Sequence, residues 1–168
     1  MKSVAFFGGA LNITDSKEYL DSIEIGKFLA NKNYIVKNGG YRGLMEAVSK
    51  GAKEAGGEVI GYTCYSFGSI EGNKYLTDVQ PAIDLFDRLR ELIILSDMFV
   101  VQKGAFGTMA ELFLTLDFIR KMKDKPNVYL LGDMWKDIFL IINNHIIFND
   151  ENIIFCDDYN DFVNKFKD

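Results

Sequence analysis

Short apolar runs alternate with helix-length segments from one end of this chain to the other, and that alternation restricts the fold more than any other feature. Runs at 4–7, 34–36, 58–62, 98–101, 127–131 and 152–155 read as strands. Several are apolar throughout, as strands covered on both faces are. Between them lie segments of helical period, such as Leu44, Ala47, Val48, Gly51 and Ala55. That stripe consists mostly of small residues, so its helix can lie close to whatever it covers. Each parallel strand pair needs a crossover, normally a helix, so a repeated β-α unit implies helices on both faces of a parallel sheet. The predicted class is α/β: a Rossmann-like three-layer α/β/α sandwich with a mostly parallel sheet of about six strands. No linker, repeat or shift in composition divides the sequence, so residues 1–168 are read as one domain. Residues 64–80 lack clear periodicity and are read as a long loop, a place where sites often form.

Composition removes several functions. The net charge of −5 leaves no domain-wide positive field for a nucleic-acid backbone. Cys64 and Cys156 form no CxxC pair, which points to a reducing compartment and excludes a four-thiolate zinc site. His145 is the only histidine, so a multi-histidine metal site is excluded too. It sits in the apolar stretch 141–148, away from any nucleophile motif, and reads as a helix-face residue. No apolar run reaches the roughly 18 residues of a membrane span, and the N-terminus leads into a strand instead of a signal-peptide core. A cytoplasmic protein with no membrane contact is expected.

Glycines collect at three strand-to-helix junctions: Gly8-Gly9, Gly39-Gly40 with Gly43, and Gly104 with Gly107. In a parallel sheet all three fall at the carboxyl edge, where open α/β folds bind ligands. Glycine permits the sharp turn, and the N–H groups at a helix start suit an anion. Any one pair reads more readily as a tight turn; three on one edge favour a site for a phosphate-bearing small molecule. Neither GxGxxG nor GxxxxGK[ST] is present, which weakens dinucleotide binding and ordinary nucleoside triphosphate hydrolysis.

Two segments resemble a known family. Asn38-Gly39-Gly40-Tyr41-Arg42-Gly43-Leu44-Met45-Glu46-Ala47 is similar to the GGGxxG(L/I)M(E/G)A segment of the LOG family, and 103–111, Lys-Gly-Ala-Phe-Gly-Thr-Met-Ala-Glu, to its PGGxGTxxE signature. Arg88 stands between them, where the family carries its catalytic arginine. Lys103 and Ala105 replace the proline and second glycine of the signature, and Asn38 replaces the first of three glycines. The segment 72–77 looks closer to the uncharacterised and molybdenum-cofactor-carrier-like branch.

The resemblance implies a nucleoside 5′-monophosphate phosphoribohydrolase, releasing free base and ribose 5-phosphate from a nucleotide such as AMP, without metal or cofactor and as a homodimer. It assigns catalysis to Arg88 and Glu111, and substrate or phosphate binding to Gly8, Gly39, Gly40, Gly43, Lys103, Gly104, Phe106, Gly107 and Thr108. Glu46, Tyr41 and Arg42 are further candidates. Phe106, at a loop tip, offers a surface on which a base stacks. Each assignment has a plainer counterpart: Thr108-x-x-Glu111 also spells a capping box, Arg88 also suits an i, i+4 pair with Asp84, and Glu46 also complements a helix dipole. The alternative function is a non-catalytic nucleotide or molybdenum-cofactor binding and carrier protein.

Overall fold

The computed structural model describes residues 1–11, 14–146 and 151–168. Among these residues seven strands form one sheet: β1 (Ser3–Phe7), β2 (Ile35–Asn38), β3 (Val59–Gly61), β4 (Asp78–Val79), β5 (Met98–Val101), β6 (Val128–Leu131) and β7 (Ile153–Cys156). Every pairing is parallel, in the order β4-β3-β2-β1-β5-β6-β7. The six expected strands are all present. The seventh, β4, is a two-residue edge strand inside the stretch read as loop, too short to carry a period of its own.

Helices α1 (Lys17–Asn31), α2 (Leu44–Glu54) and α6 (Tyr159–Lys165) cover one face; α3 (Leu85–Ile94), α4 (Phe106–Ile119) and α5 (Asp133–Asn143) cover the other. The period-2 pleat divides the core between them. Val4 and Phe6 of β1 pack with Ile25, Leu29 and Val48, whereas Ala5 and Phe7 pack with Leu92, Leu112 and Trp135. The small-residue stripe of α2 meets α1 at very close range. A β-carbon at Gly51 would overlap the carbonyl of Ile23, and one at Gly26 the carbonyl of Val48. His145 is exposed and lies just beyond the end of α5, so it is not a helix-face residue; positions 147 and 148 of its apolar stretch lie outside the described residues. Both cysteines are free and buried.

This strand order puts β2, β1 and β5 side by side, so their three glycine junctions form one continuous rim. Hydrogen bonds join them: Gly9 N–H donates to the Lys103 carbonyl at 3.0 Å, and Leu44 N–H to the Gly9 carbonyl at 2.9 Å. Among the described residues no helix is long and apolar enough to cross a membrane.

Candidate functional site

A cavity of about 580 Å³ opens along this rim. Gly8, Gly9, Lys103, Gly104, Gly107, Thr108, Tyr41, Arg88 and Glu111 line it, together with residues at the start of α1 and Phe67. The deepest feature is an ion pair. Arg88 Nη1 lies 3.3 Å from Glu111 Oε1, with the side chains only 7% and 11% exposed. Arg88 Nε donates to the Tyr62 carbonyl at 2.7 Å. Its guanidinium carbon also stands 5.7 Å from the Tyr41 ring centroid and 5.9 Å from that of Phe67, so two aromatic faces flank the cation. Burial pushes the Glu111 carboxyl up to about 7, against the opposing attraction of Arg88.

Both plainer readings of this pair fail on geometry. α4 begins at Phe106 with Ala105 as its N-cap, so Thr108 is inside the helix and Glu111 in the second turn, bonded to Arg88 instead of the helix start. Arg88 is buried, and Asp84 is occupied as the N-cap of α3, accepting from Asp87 N–H at 2.9 Å. The helical period brings Thr108, Glu111 and Thr115 to the inner face of α4, where all three are buried.

Two glycines have a specific steric task. A β-carbon at Gly39 would overlap the Arg88 guanidinium and come within 2.9 Å of Met45 Sδ. One at Gly104 would overlap the Thr108 hydroxyl. Gly107 differs, since a β-carbon there meets nothing within 4 Å beyond its chain neighbours and the backbone of its own helix. Its missing side chain leaves the cavity open. Ala105 supplies no capping side chain, and the first turn of α4 has no acid, so the N–H groups there are available to an anion.

The remaining predicted residues separate. Gly39, Gly40 and Gly43 lie beneath the rim and shape it without lining the cavity: Gly40 N–H donates to Asn38 Oδ1 at 2.7 Å, and Gly43 is the N-cap of α2. Glu46 is half-buried in the first turn of α2, where it complements the dipole, and Arg42 is exposed; neither lines the cavity. Phe106, expected to offer a stacking surface, is 88% exposed and does not line the cavity either. Two residues before Thr108 is about 200° around the helix, so Phe106 points away.

Phe67 lines the cavity beside Tyr41. It sits in a single 3-10 turn (Tyr65–Phe67) of the 64–80 stretch, 51% exposed, with its ring 6.2 Å from that of Tyr41. Side chains fasten this stretch to the second glycine junction. Tyr41 Oη accepts from Cys64 N–H at 2.9 Å and donates to the Ser69 carbonyl at 3.3 Å, while Asn73 Nδ2 donates to the Tyr41 carbonyl at 3.0 Å. Lys37 has a role that its sequence context does not mark. This buried lysine of β2 donates to the Leu95 carbonyl at the C-terminus of α3, as does Ser3 Oγ at 3.0 Å, and so fixes the helix that carries Arg88. Burial lowers its pKa. Among the described residues no three His, Cys, Asp or Glu side chains converge as metal ligands do.

The family model for the SLOG cluster4 family matches residues 1–139. The chain belongs to the SLOG cluster4 family. An uncharacterized protein of Archaeoglobus fulgidus is 31% identical over 127 residues, 70% of this chain and 78% of that one. A cytokinin riboside 5′-monophosphate phosphoribohydrolase of Rhodococcoides fascians is 30% identical over 133 residues, 77% and 67% of the two chains. An Arabidopsis thaliana enzyme of the same name is 34% identical over 95 residues, but this SLOG cluster4 chain spans only 41% of its length. The resemblance to LOG proteins is thus shared with named relatives. Among solved structures, that of TM1055 superposes with a TM-score of 0.72 at 28% identity, covering 98% of this chain and 97% of that one. The molybdenum cofactor carrier protein of Chlamydomonas reinhardtii gives 0.75 at 24% identity, covering 98% and 95%, which establishes a shared fold.

Proposed function

We propose that this SLOG protein is a phosphoribohydrolase acting on nucleoside 5′-monophosphates. The observation that carries the reading is the buried Arg88–Glu111 pair, set one helical turn from the uncapped start of α4 and within the same cavity. The phosphate is held by the N–H groups at residues 106–108, the Thr108 hydroxyl and Lys103. Ribose then lies over Glu111, and the base against Phe67 and Tyr41. As the C–N bond breaks, positive charge grows on the sugar, where the Glu111 carboxylate stabilises it and takes a proton from the attacking water. The base leaves with the bonding electrons and takes a proton from solvent, and Glu111 releases to solvent the proton it took from water, so the protons balance. Burial raises the Glu111 carboxyl to about 7, and Arg88 orients it and opposes that rise.

A second reading is a protein that holds a nucleotide-like or pterin-phosphate ligand without turnover. The fold shared with molybdenum cofactor carriers supports it, as do Lys103 and Ala105 where the LOG signature has proline and glycine. Incubation with a panel of nucleoside 5′-monophosphates and the matching nucleosides separates the two. The enzyme reading expects free base from monophosphates and far less from nucleosides; raised thermal stability without base release would establish the second reading.

A homodimer is part of the proposal. Ile83 and Phe86 at the start of α3 are 75% and 77% exposed, and Phe106 at the start of α4 is 88% exposed, so the two helices that carry Arg88 and Glu111 each begin with exposed apolar side chains. Sedimentation is expected to give twice the chain mass, with a shift toward monomer in Phe86→Glu.

A further inference from the structure

The cavity has a second end that the Arg88–Glu111 pair does not use. Arg88 and Glu111 belong to helices on one face of the sheet, whereas Ser16 and Glu18 belong to the start of α1 on the other. Gly8, Gly9 and Gly104 lie between, so the cavity crosses the carboxyl edge from face to face. At the α1 end Lys103 Nζ stands 3.6 Å from Glu18 Oε1, with side chains 63% and 36% exposed.

The backbone of Lys103 is fixed. Its N–H donates to Gln102 Oε1 at 3.0 Å and its carbonyl accepts from Gly9 N–H at 3.0 Å, so only the side chain can change partner. Glu18 stays ionised: its own backbone N–H, then Lys103, hold its carboxyl below the usual range. Among the described residues that line this end of the cavity, the cation Lys103 therefore already faces an anion of the protein. An exposed pair of this kind is weak, so an incoming phosphate exchanges for Glu18 at little cost.

We propose that Glu18 sets the charge limit of the site, admitting one phosphoryl group and opposing a second. This inference rests on the nucleotide reading above. A phosphate over the start of α4 takes Lys103 away from Glu18. A further phosphoryl group extends away from the Arg88–Glu111 end, toward α1, and meets the carboxylate that Lys103 has just released. Like charges at that separation disfavour binding, and salt weakens the effect. Glu18 is then a specificity-determining residue that touches no reacting atom.

Titration calorimetry with AMP and ADP tests it on the wild-type chain, Glu18→Gln and Lys103→Gln. The wild type is expected to prefer AMP. Glu18→Gln gains about tenfold in ADP affinity at low salt, with a smaller change for AMP, so the preference narrows. Lys103→Gln weakens both ligands without narrowing the preference. An AMP-to-ADP ratio unchanged by Glu18→Gln, in a protein that still binds AMP, overturns the role of Glu18 alone. Failure of the wild type to bind either nucleotide overturns the nucleotide reading, and this inference with it.

Discussion

Helices α4 and α6 begin at the same edge of the same sheet, yet their first turns are built in opposite ways. α6 starts at Asp158, whose carboxylate accepts from Asp161 N–H at 3.1 Å, and Asp161 places a further acid in the first turn. α3 repeats the device with Asp84 and Asp87. α4 has alanine at the N-cap, no acid in its first turn, and glycines at 104 and 107 on either side of that start. A capped start satisfies its own N–H groups and is closed to ligands; an uncapped one beside a cavity keeps them for an anion. The contrast shows where the fold withholds local stabilisation, and the buried ion pair lies directly behind that opening.

The strongest way to break the contrast is to disturb what lies behind it. Gly39→Ala places a β-carbon on the Arg88 guanidinium, and a misplaced arginine is expected to lower kcat/KM for a nucleoside monophosphate by on the order of 100-fold. Steady-state kinetics checks this; activity within a factor of about 2 would show that Arg88 tolerates displacement.

The next effect is a change in pH dependence. Glu111 has its folded-state pKa raised from 4.5 to about 7. Its stabilising contribution is therefore fully present below pH 4.5 and is lost as pH rises through about 7. Denaturant titrations are expected to show the wild type losing stability relative to Glu111→Gln across that window, while kcat/KM rises with pH as the carboxylate forms. A constant difference in stability from pH 5 to pH 8 would contradict the burial-driven shift.

The smallest effects come from exchanging the two kinds of helix start. Ala105→Asp, at a residue whose backbone is already extended, caps α4 and is expected to add up to about 1 kcal/mol of stability while weakening phosphate binding. Asp158→Ala uncaps α6 and is expected to cost about 1 kcal/mol without changing activity. Thermal melts and phosphate titrations on both variants sharpen the comparison.

What the sequence disclosed follows from the range of each signal. The six longer strands announce themselves as apolar runs, and the three glycine junctions as pairs at their ends, because both signals are local. β4 gives no such signal, as two residues carry no pattern. Arg88 and Glu111, 23 positions apart, are connected in sequence only through the resemblance; composition and spacing alone left each with a plainer explanation. Phe67 and Lys37 stayed hidden because their roles depend on what lies opposite them: a guanidinium 5.9 Å from the Phe67 ring, and a helix C-terminus for Lys37. Phe106 is the opposite case, since its place at a loop tip marks it in the sequence while the helical period turns it outward.

The central claim is that Glu111, held by Arg88, acts on a ribose anchored through its phosphate. Base release from AMP by the wild type and by Glu111→Gln, with AMP binding measured on both, tests it most directly. The account predicts that the variant binds AMP and keeps its fold but loses at least about 100-fold in base release. Equal turnover by the two proteins, or a wild type that binds AMP and releases no base, would contradict it.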